Sequence, residues 1–163
     1  SLTMSAPSTK GIRLDDDAYT ELVDGKMVDH AATVVPEMYI NDGTITVNLT
    51  TKALGAKAIA SDGNFTIGTS ETSPTINIDL YAEMDPDEER ATGLKATKTL
   101  LIAGGNTVVN AIGDNSRGVR AYKLRATGGV LTVTNTGEES QGIKLDSLFV
   151  NEGGTVNGKF RYK

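Results

Sequence analysis

Along most of the chain, apolar and polar residues alternate over short stretches. Ile45-Thr46-Val47, Ile76-Asn77-Ile78 and Leu131-Thr132-Val133 each place an aliphatic side chain at every second position. That is the pattern of a strand with one face turned inward. Between residues 38 and 163, no stretch of about ten residues keeps a helical period.

The short stretches recur in a fixed order. A small residue, an aliphatic and usually a base open each repeat: Gly11-Ile12-Arg13-Leu14, Ala58-Ile59-Ala60-Ser61, Gly93-Leu94-Lys95-Ala96, Gly118-Val119-Arg120-Ala121 and Gly142-Ile143-Lys144-Leu145. A second strand follows, with Met38 and Ile40, Phe65 and Ile67, Leu100 and Ile102, Leu124 and Ala126, and Leu148 and Val150 as its apolar positions. A glycine turn often comes next, as at Asp42-Gly43, Gly104-Gly105, Gly128-Gly129 and Gly153-Gly154, and then a third strand. Gly93, Gly118 and Gly142 lie 25 and 24 residues apart, which sets the period. The earlier, longer intervals carry loops at Asp15 to Pro36 and Asp85 to Arg90, and insertions in a repeat fold map to its surface.

Strands this short suit a coil that returns to the same place at each repeat, with successive strands about 4.8 Å apart. The expectation is an all-β fold: a single-stranded right-handed parallel β-helix of about five rungs over residues 38–163. Residues 1–37 form an N-terminal segment with a first partial rung and an inserted loop or cap. There Ala18 to Ala32 reads as a short helix, with Asp17 as its N-cap, that would cover the open end of the stack. The rival is an up-and-down sandwich with hairpins at Asp62-Gly63 and the Gly-Gly pairs.

Composition narrows the function. There are three Phe, five Tyr, no Trp and no Cys, which excludes disulfides, thiolate metal sites and cysteine catalysis. The net charge of −5 speaks against binding nucleic acid through its phosphates. No apolar run approaches the roughly 18 residues of a membrane span. The chain opens on Ser1 and closes on Phe160-Arg161-Tyr162-Lys163 in mid-rung. An export signal removed from a precursor, and a continuation of the natural protein, are therefore expected.

The strings Gly93-Leu-Lys-Ala…Leu100-Leu-Ile-Ala-Gly-Gly, Gly118-Val-Arg-Ala and Gly142-Ile-Lys-Leu-Asp resemble a known family. It is the bacterial carbohydrate-binding β-helix family, related in shape to pectate lyases, and the likeness covers roughly residues 38 to 163. The family's acid-glycine pair stands here at Asp62-Gly63. Asp15 and Asp146 keep the acid alone, and Thr97 and Tyr122 replace it. The resemblance implies a secreted or cell-surface protein with calcium sites and affinity for plant-type or acidic polysaccharides.

The residues themselves supply candidates. The position two after each opening residue is Arg13, Ala60, Lys95, Arg120 and Lys144, an outward column of bases, with Lys10, Lys57 and Arg117 on its flank. Stacked bases need anions nearby. A uronic acid chain gripped by guanidinium groups would supply them. So would the protein's own turn acids, Asp85, Asp87, Glu88, Glu89, Asp114, Glu138 and Glu139. Of these, Asp85, Asp87, Asp114, Glu138 and Glu139 are the candidate calcium ligands, because calcium takes six to eight oxygens. Asp15-Asp16-Asp17 is a separate candidate. Tyr122, placed at a turn near Arg120, Lys123 and Arg125, is a candidate sugar-stacking platform, ahead of Tyr39 and Tyr81.

Catalysis has little to build on. His30 is the single histidine, and the least unsuitable carboxylate pair is Asp114 with Glu138. The reading is non-catalytic polysaccharide binding at the cell surface or outside the cell, through Arg13, Lys95, Arg120, Tyr122 and Lys144. Its alternatives are an adhesive or structural stalk and a polysaccharide lyase or hydrolase.

Overall fold

A computed structural model describes residues 2–4, 10–49, 55–82 and 90–162. Their strands, in chain order, are β1 (Leu2–Met4), β2 (Lys10–Leu14), β3 (Tyr19–Val23), β4 (Lys26–His30), β5 (Glu37–Ile40), β6 (Thr44–Leu49), β7 (Lys57–Ser61), β8 (Asn64–Ile67) and β9 (Thr75–Tyr81). They continue as β10 (Ala91–Ile102), β11 (Asn106–Ile112), β12 (Ser116–Ala126), β13 (Val130–Thr136), β14 (Gln141–Leu145), β15 (Phe149–Asn151), β16 (Thr155–Asn157) and β17 (Phe160–Tyr162). The described residues contain no helix.

The strands form two parallel sheets and one hairpin. The third strands of the repeats make a six-stranded sheet in the order β1-β6-β9-β11-β13-β16. The first and second strands share a nine-stranded sheet, because β10 and β12 each run through both positions. Leu94 pairs with Val119 and then Val119 with Ile143, 25 and 24 residues on, so the sequence period is the strand register. The sandwich hairpins expected at Asp62-Gly63 and the Gly-Gly pairs do not form, since the strands around them pair parallel with neighbouring repeats. The two sheets are hydrogen-bonded separately.

In-register pairing turns each repeat position into a column. Ile12, Ile59, Leu94, Val119, Ile143 and Phe160 form one, partner to partner. Ile59, Leu94, Val119 and Ile143 are fully buried, while at the two ends Ile12 is exposed and Phe160 only partly buried. Phe65, Leu100 and Leu124 line a second column, and Ile76, Ile78, Leu80, Val109, Leu131 and Val133 face them from the other sheet. This one contiguous core replaces bulky aromatics with many aliphatic contacts.

The opening glycines keep the sheets close. A Cβ on Gly118 would stand 2.2 Å from Cγ1 of Val133 and 2.9 Å from the Gly142 carbonyl oxygen, and one on Gly93 would stand 2.5 Å from Cγ1 of Val109. Neither glycine has positive φ, so space rather than backbone geometry excludes a side chain there.

Two expectations change. Ala18 to Ala32 is a β-hairpin, not a helix: β3 and β4 pair antiparallel from Tyr19↔His30 to Val23↔Lys26. Asp24 and Gly25 both take positive φ, 49° and 74°, as the tight two-residue turn of a hairpin requires. Asp17 caps no helix. It accepts the N–H groups of Thr33 (2.8 Å) and Val34 (3.0 Å) and the Thr33 hydroxyl, fastening the base of the hairpin. At the second strand of the last repeat, Phe149 rather than Leu148 takes the column position, paired with Leu124. The offset there is 25 residues where the preceding segment has 24, and a slip of one residue exchanges the faces of a strand. Leu148 is left exposed.

Two stability predictions follow from this packing. Gly118→Ala overpacks the core against Val133 and should cost about 1–3 kcal/mol in chemical denaturation. Thr107 is buried in the column between Ile76 and Leu131, and its hydroxyl has no partner. Thr107→Val should therefore raise stability by about 1 kcal/mol, and an unchanged or lower denaturation midpoint would refute the idea that this hydroxyl is a cost.

Candidate functional site

The outward base column exists. Arg13 pairs with Ala60, Ala60 with Lys95, Lys95 with Arg120, Arg120 with Lys144 and Lys144 with Arg161. Lys95, Arg120 and Lys144 each sit between two buried residues of their strand, so parallel register stacks these bases next to one another.

What balances them differs from expectation. The partners found among the described residues are the acids that directly follow β2, β7 and β14, namely Asp15, Asp62 and Asp146. Asp62 lies between Arg13 (3.0 Å) and Lys95 (3.5 Å), and Arg13 also pairs with Asp15. Asp146 lies between Arg120 (3.8 Å) and Lys144 (4.0 Å). Burial raises the pKa of the Asp62 carboxyl, but the Arg13 hydrogen bond and the charges of Lys95 and Arg13 outweigh it and hold the pKa below its ordinary value. Each of these two acids serves two bases, so the column keeps a cationic excess.

Where the acid position is filled by Thr97 and Tyr122, the corner opens into a hollow of about 230 Å³, lined by Lys95, Ala96, Thr97, Arg120, Tyr122 and Asp146. Tyr122 is 53% exposed and lies within the continuous strand β12 rather than at a turn. The structure thus gathers Lys95, Arg120 and Tyr122 around one opening, with Lys144 joined to it through Asp146. Arg13 lies beyond Asp62, toward the hairpin end.

The remaining candidates are placed elsewhere. Lys57 is buried and donates to the Gly55 carbonyl, and Arg117 donates to Gln141. Arg125 is paired with Glu152 at 2.6 Å, and the Tyr39 hydroxyl is bound to Glu37. Tyr81 is exposed at the end of β9.

Asp114 accepts the backbone N–H of Glu138 at 2.8 Å. Glu139 pairs with Arg90 at 3.6 Å, and Arg90 also donates to the Asp114 carbonyl at 2.8 Å. Arg90, which the sequence reading did not single out, ties these turns together. Among the described residues, no group of three or more acids or histidines is close enough to hold a metal ion. Asp85, Asp87, Glu88 and Glu89 lie outside the described residues.

A larger, shallow hollow of about 1020 Å³ lies at the other corner, where the second strand turns into the third. Thr69, Thr72, Ser73, Asn106 and Thr127 contribute to its lining, and no charged side chain does. The insertion from Gly68 to Pro74 borders it. The Gly-Gly turns bring no side chains to it, and their place in the repeat is its only trace in the sequence.

The ion pair at Asp62 can be tested through pH. Because its folded-state pKa is lowered from 3.8, its contribution is complete above that value and is lost as pH falls through the folded pKa. Asp62→Asn should cost up to about 1 kcal/mol at neutral pH. The gap from the parent protein should narrow only below about pH 4, where a denaturation series would reveal it.

Comparison with known proteins adds one match. No curated protein and no solved structure matches the chain. A family model described as a carbohydrate-binding domain-containing protein matches residues 2–142, which takes in the strands from β1 to β13 and the whole hollow at Tyr122 except Asp146. The chain belongs to this family of carbohydrate-binding domain proteins.

Proposed function

We propose that this domain binds an acidic polysaccharide, without cleaving it, at the cell surface or outside the cell. The binding face is the corner formed by Lys95, Arg120, Tyr122 and Lys144. The observation that carries the reading is the in-register column of bases, short of acids, where it opens beside an exposed tyrosine.

Each element suits a sugar acid. Arg120 offers paired donors to a carboxylate. Tyr122 offers a flat apolar face to the C–H side of a pyranose ring. Asp146 and Thr97 accept or exchange hydroxyl hydrogen bonds. Stacking from repeat to repeat suits a ligand that is itself a repeating chain. The family match supports carbohydrate as the ligand class and a non-catalytic role.

The same reading takes the chain to be coiled as a right-handed parallel β-helix. Offsets of 24 and 25 residues in both parallel sheets support it. So does the common order of first, second and third strand in successive repeats.

The test is affinity electrophoresis through gels containing polygalacturonate, run with calcium and again with a chelator. The parent protein should be retarded, and less so as ionic strength rises. Arg120→Gln and Tyr122→Ala should each weaken retention about tenfold or more, the loss of roughly 1.4 kcal/mol. Because the bases form exposed pairs, melting temperatures should hardly move. Retention that chelation abolishes would add a metal bridge to the site. No retention by any acidic glycan would refute the reading and favour a structural spacer.

A further inference from the structure

The hairpin β3–β4 is inserted at the same corner as the tyrosine hollow. It follows Leu14, and Leu14 pairs with Ser61, Ser61 with Ala96, Ala96 with Ala121 and Ala121 with Leu145. The corner residues Asp62, Thr97, Tyr122 and Asp146 come directly after those partners, so the hairpin rises from the end of their row.

A second hollow, of about 380 Å³, lies between the hairpin base and the row. It is lined by Asp16, Ala32, Thr33, Val34, Val35, Asp62, Thr97 and Lys98. Thr97 lines both this hollow and the one beside Tyr122. The two therefore meet at Thr97 and follow the stacking direction. At about 4.8 Å per strand, the row from Asp146 to Asp62 is about 14 Å long, longer than a single sugar ring.

The second hollow carries its own recognition chemistry. Lys98 is exposed, and no acid among the described residues pairs with it. Val34 is 62% exposed and Val35 48%, an apolar step held in place by the grip of Asp17 on the Thr33 and Val34 N–H groups. Asp16 adds a carboxylate that accepts the Ala18 N–H at 3.2 Å and keeps its other lone pairs free. A cation, an acceptor and an apolar step suit a ring that carries a carboxylate, hydroxyls and a C–H face. A bare inorganic anion would gain from Lys98 alone, whereas a sugar acid also brings hydroxyls that can donate to Asp16.

We propose that the two hollows form one groove, closed at one end by the hairpin, and that beyond Thr97 it takes a further uronic acid residue of the same chain. Its carboxylate pairs with Lys98, its hydroxyls donate to Asp16 and its apolar face lies on Val34. This rests on the acidic-polysaccharide reading of the Tyr122 hollow and extends it to a longer ligand with a defined end.

The experiment is a calorimetric titration of the full chain with galacturonate oligomers of increasing length. The parent protein should bind longer oligomers more tightly until the groove is filled. Lys98→Ala should bind the shortest oligomers as the parent does and fall about tenfold behind on the longest, the loss of one charge-assisted contact. Lys98→Arg should restore most of that gain. Equal affinity of Lys98→Ala and the parent at every length would overturn the extended groove and leave the Tyr122 site standing. Absence of galacturonate binding by the parent at all lengths would overturn both.

Discussion

Parallel pairing of like positions in successive repeats is the constraint from which the rest of the structure follows. Once Leu94 lies beside Val119 and Val119 beside Ile143, the residues around them in the same strands have their neighbours assigned, as far as the one-residue register shift after Ala96. A position in the repeat becomes a column through the molecule. Aliphatic columns, with Phe65 the one fully buried aromatic among the described residues, make the core, and its burial supplies the main driving force for folding. The same regularity is unforgiving at close approaches, which is why glycine stands at positions 93 and 118 against the valines of the opposite sheet.

Outside, that regularity would be destabilising if nothing offset it, because it sets base beside base. The acids at 62 and 146 relieve this from the corners just past β7 and β14, each between two cations. Individually such pairs are weak. Together they leave the column ordered and still short of negative charge. Recognition chemistry arises where this compensation lapses. Thr97 and Tyr122 occupy two consecutive acid positions, and a hollow opens there between Lys95 and Arg120, whose acids Asp62 and Asp146 are each shared with a second base.

Insertions enter at the corners, where extra residues leave the pairing intact. Lengthening a surface connection costs little chain entropy, so the ladder tolerates both the hairpin after Leu14 and the loop from Gly68 to Pro74. The hairpin stands at the end of the row that carries the lapse in acids, so a feature of one repeat becomes a wall for a site built from others. The loop from Gly68 borders the uncharged hollow on the opposite corner in the same way.

The strand order, the inward aliphatics, the period and the base column were all legible in the chain. Each is a local regularity, and parallel register preserves local regularities unchanged. The hairpin at Ala18 to Ala32 was harder to read. Its Asp24-Gly25 turn was the available signal, and the Asp17 side chain that resembled a helix cap holds the hairpin base instead. The exchange of Leu148 for Phe149 depended on a single extra residue in one turn. By itself the sequence determined which residues face in, which face out and that the outward bases would stack, because these follow from alternation and spacing. Only the tertiary structure decided which acids answer those bases, where the row opens and what closes its end. Those depend largely on contacts between residues a repeat or more apart, such as Asp62 with Arg13 and with Lys95, and Asp146 with Arg120, which no local pattern encodes.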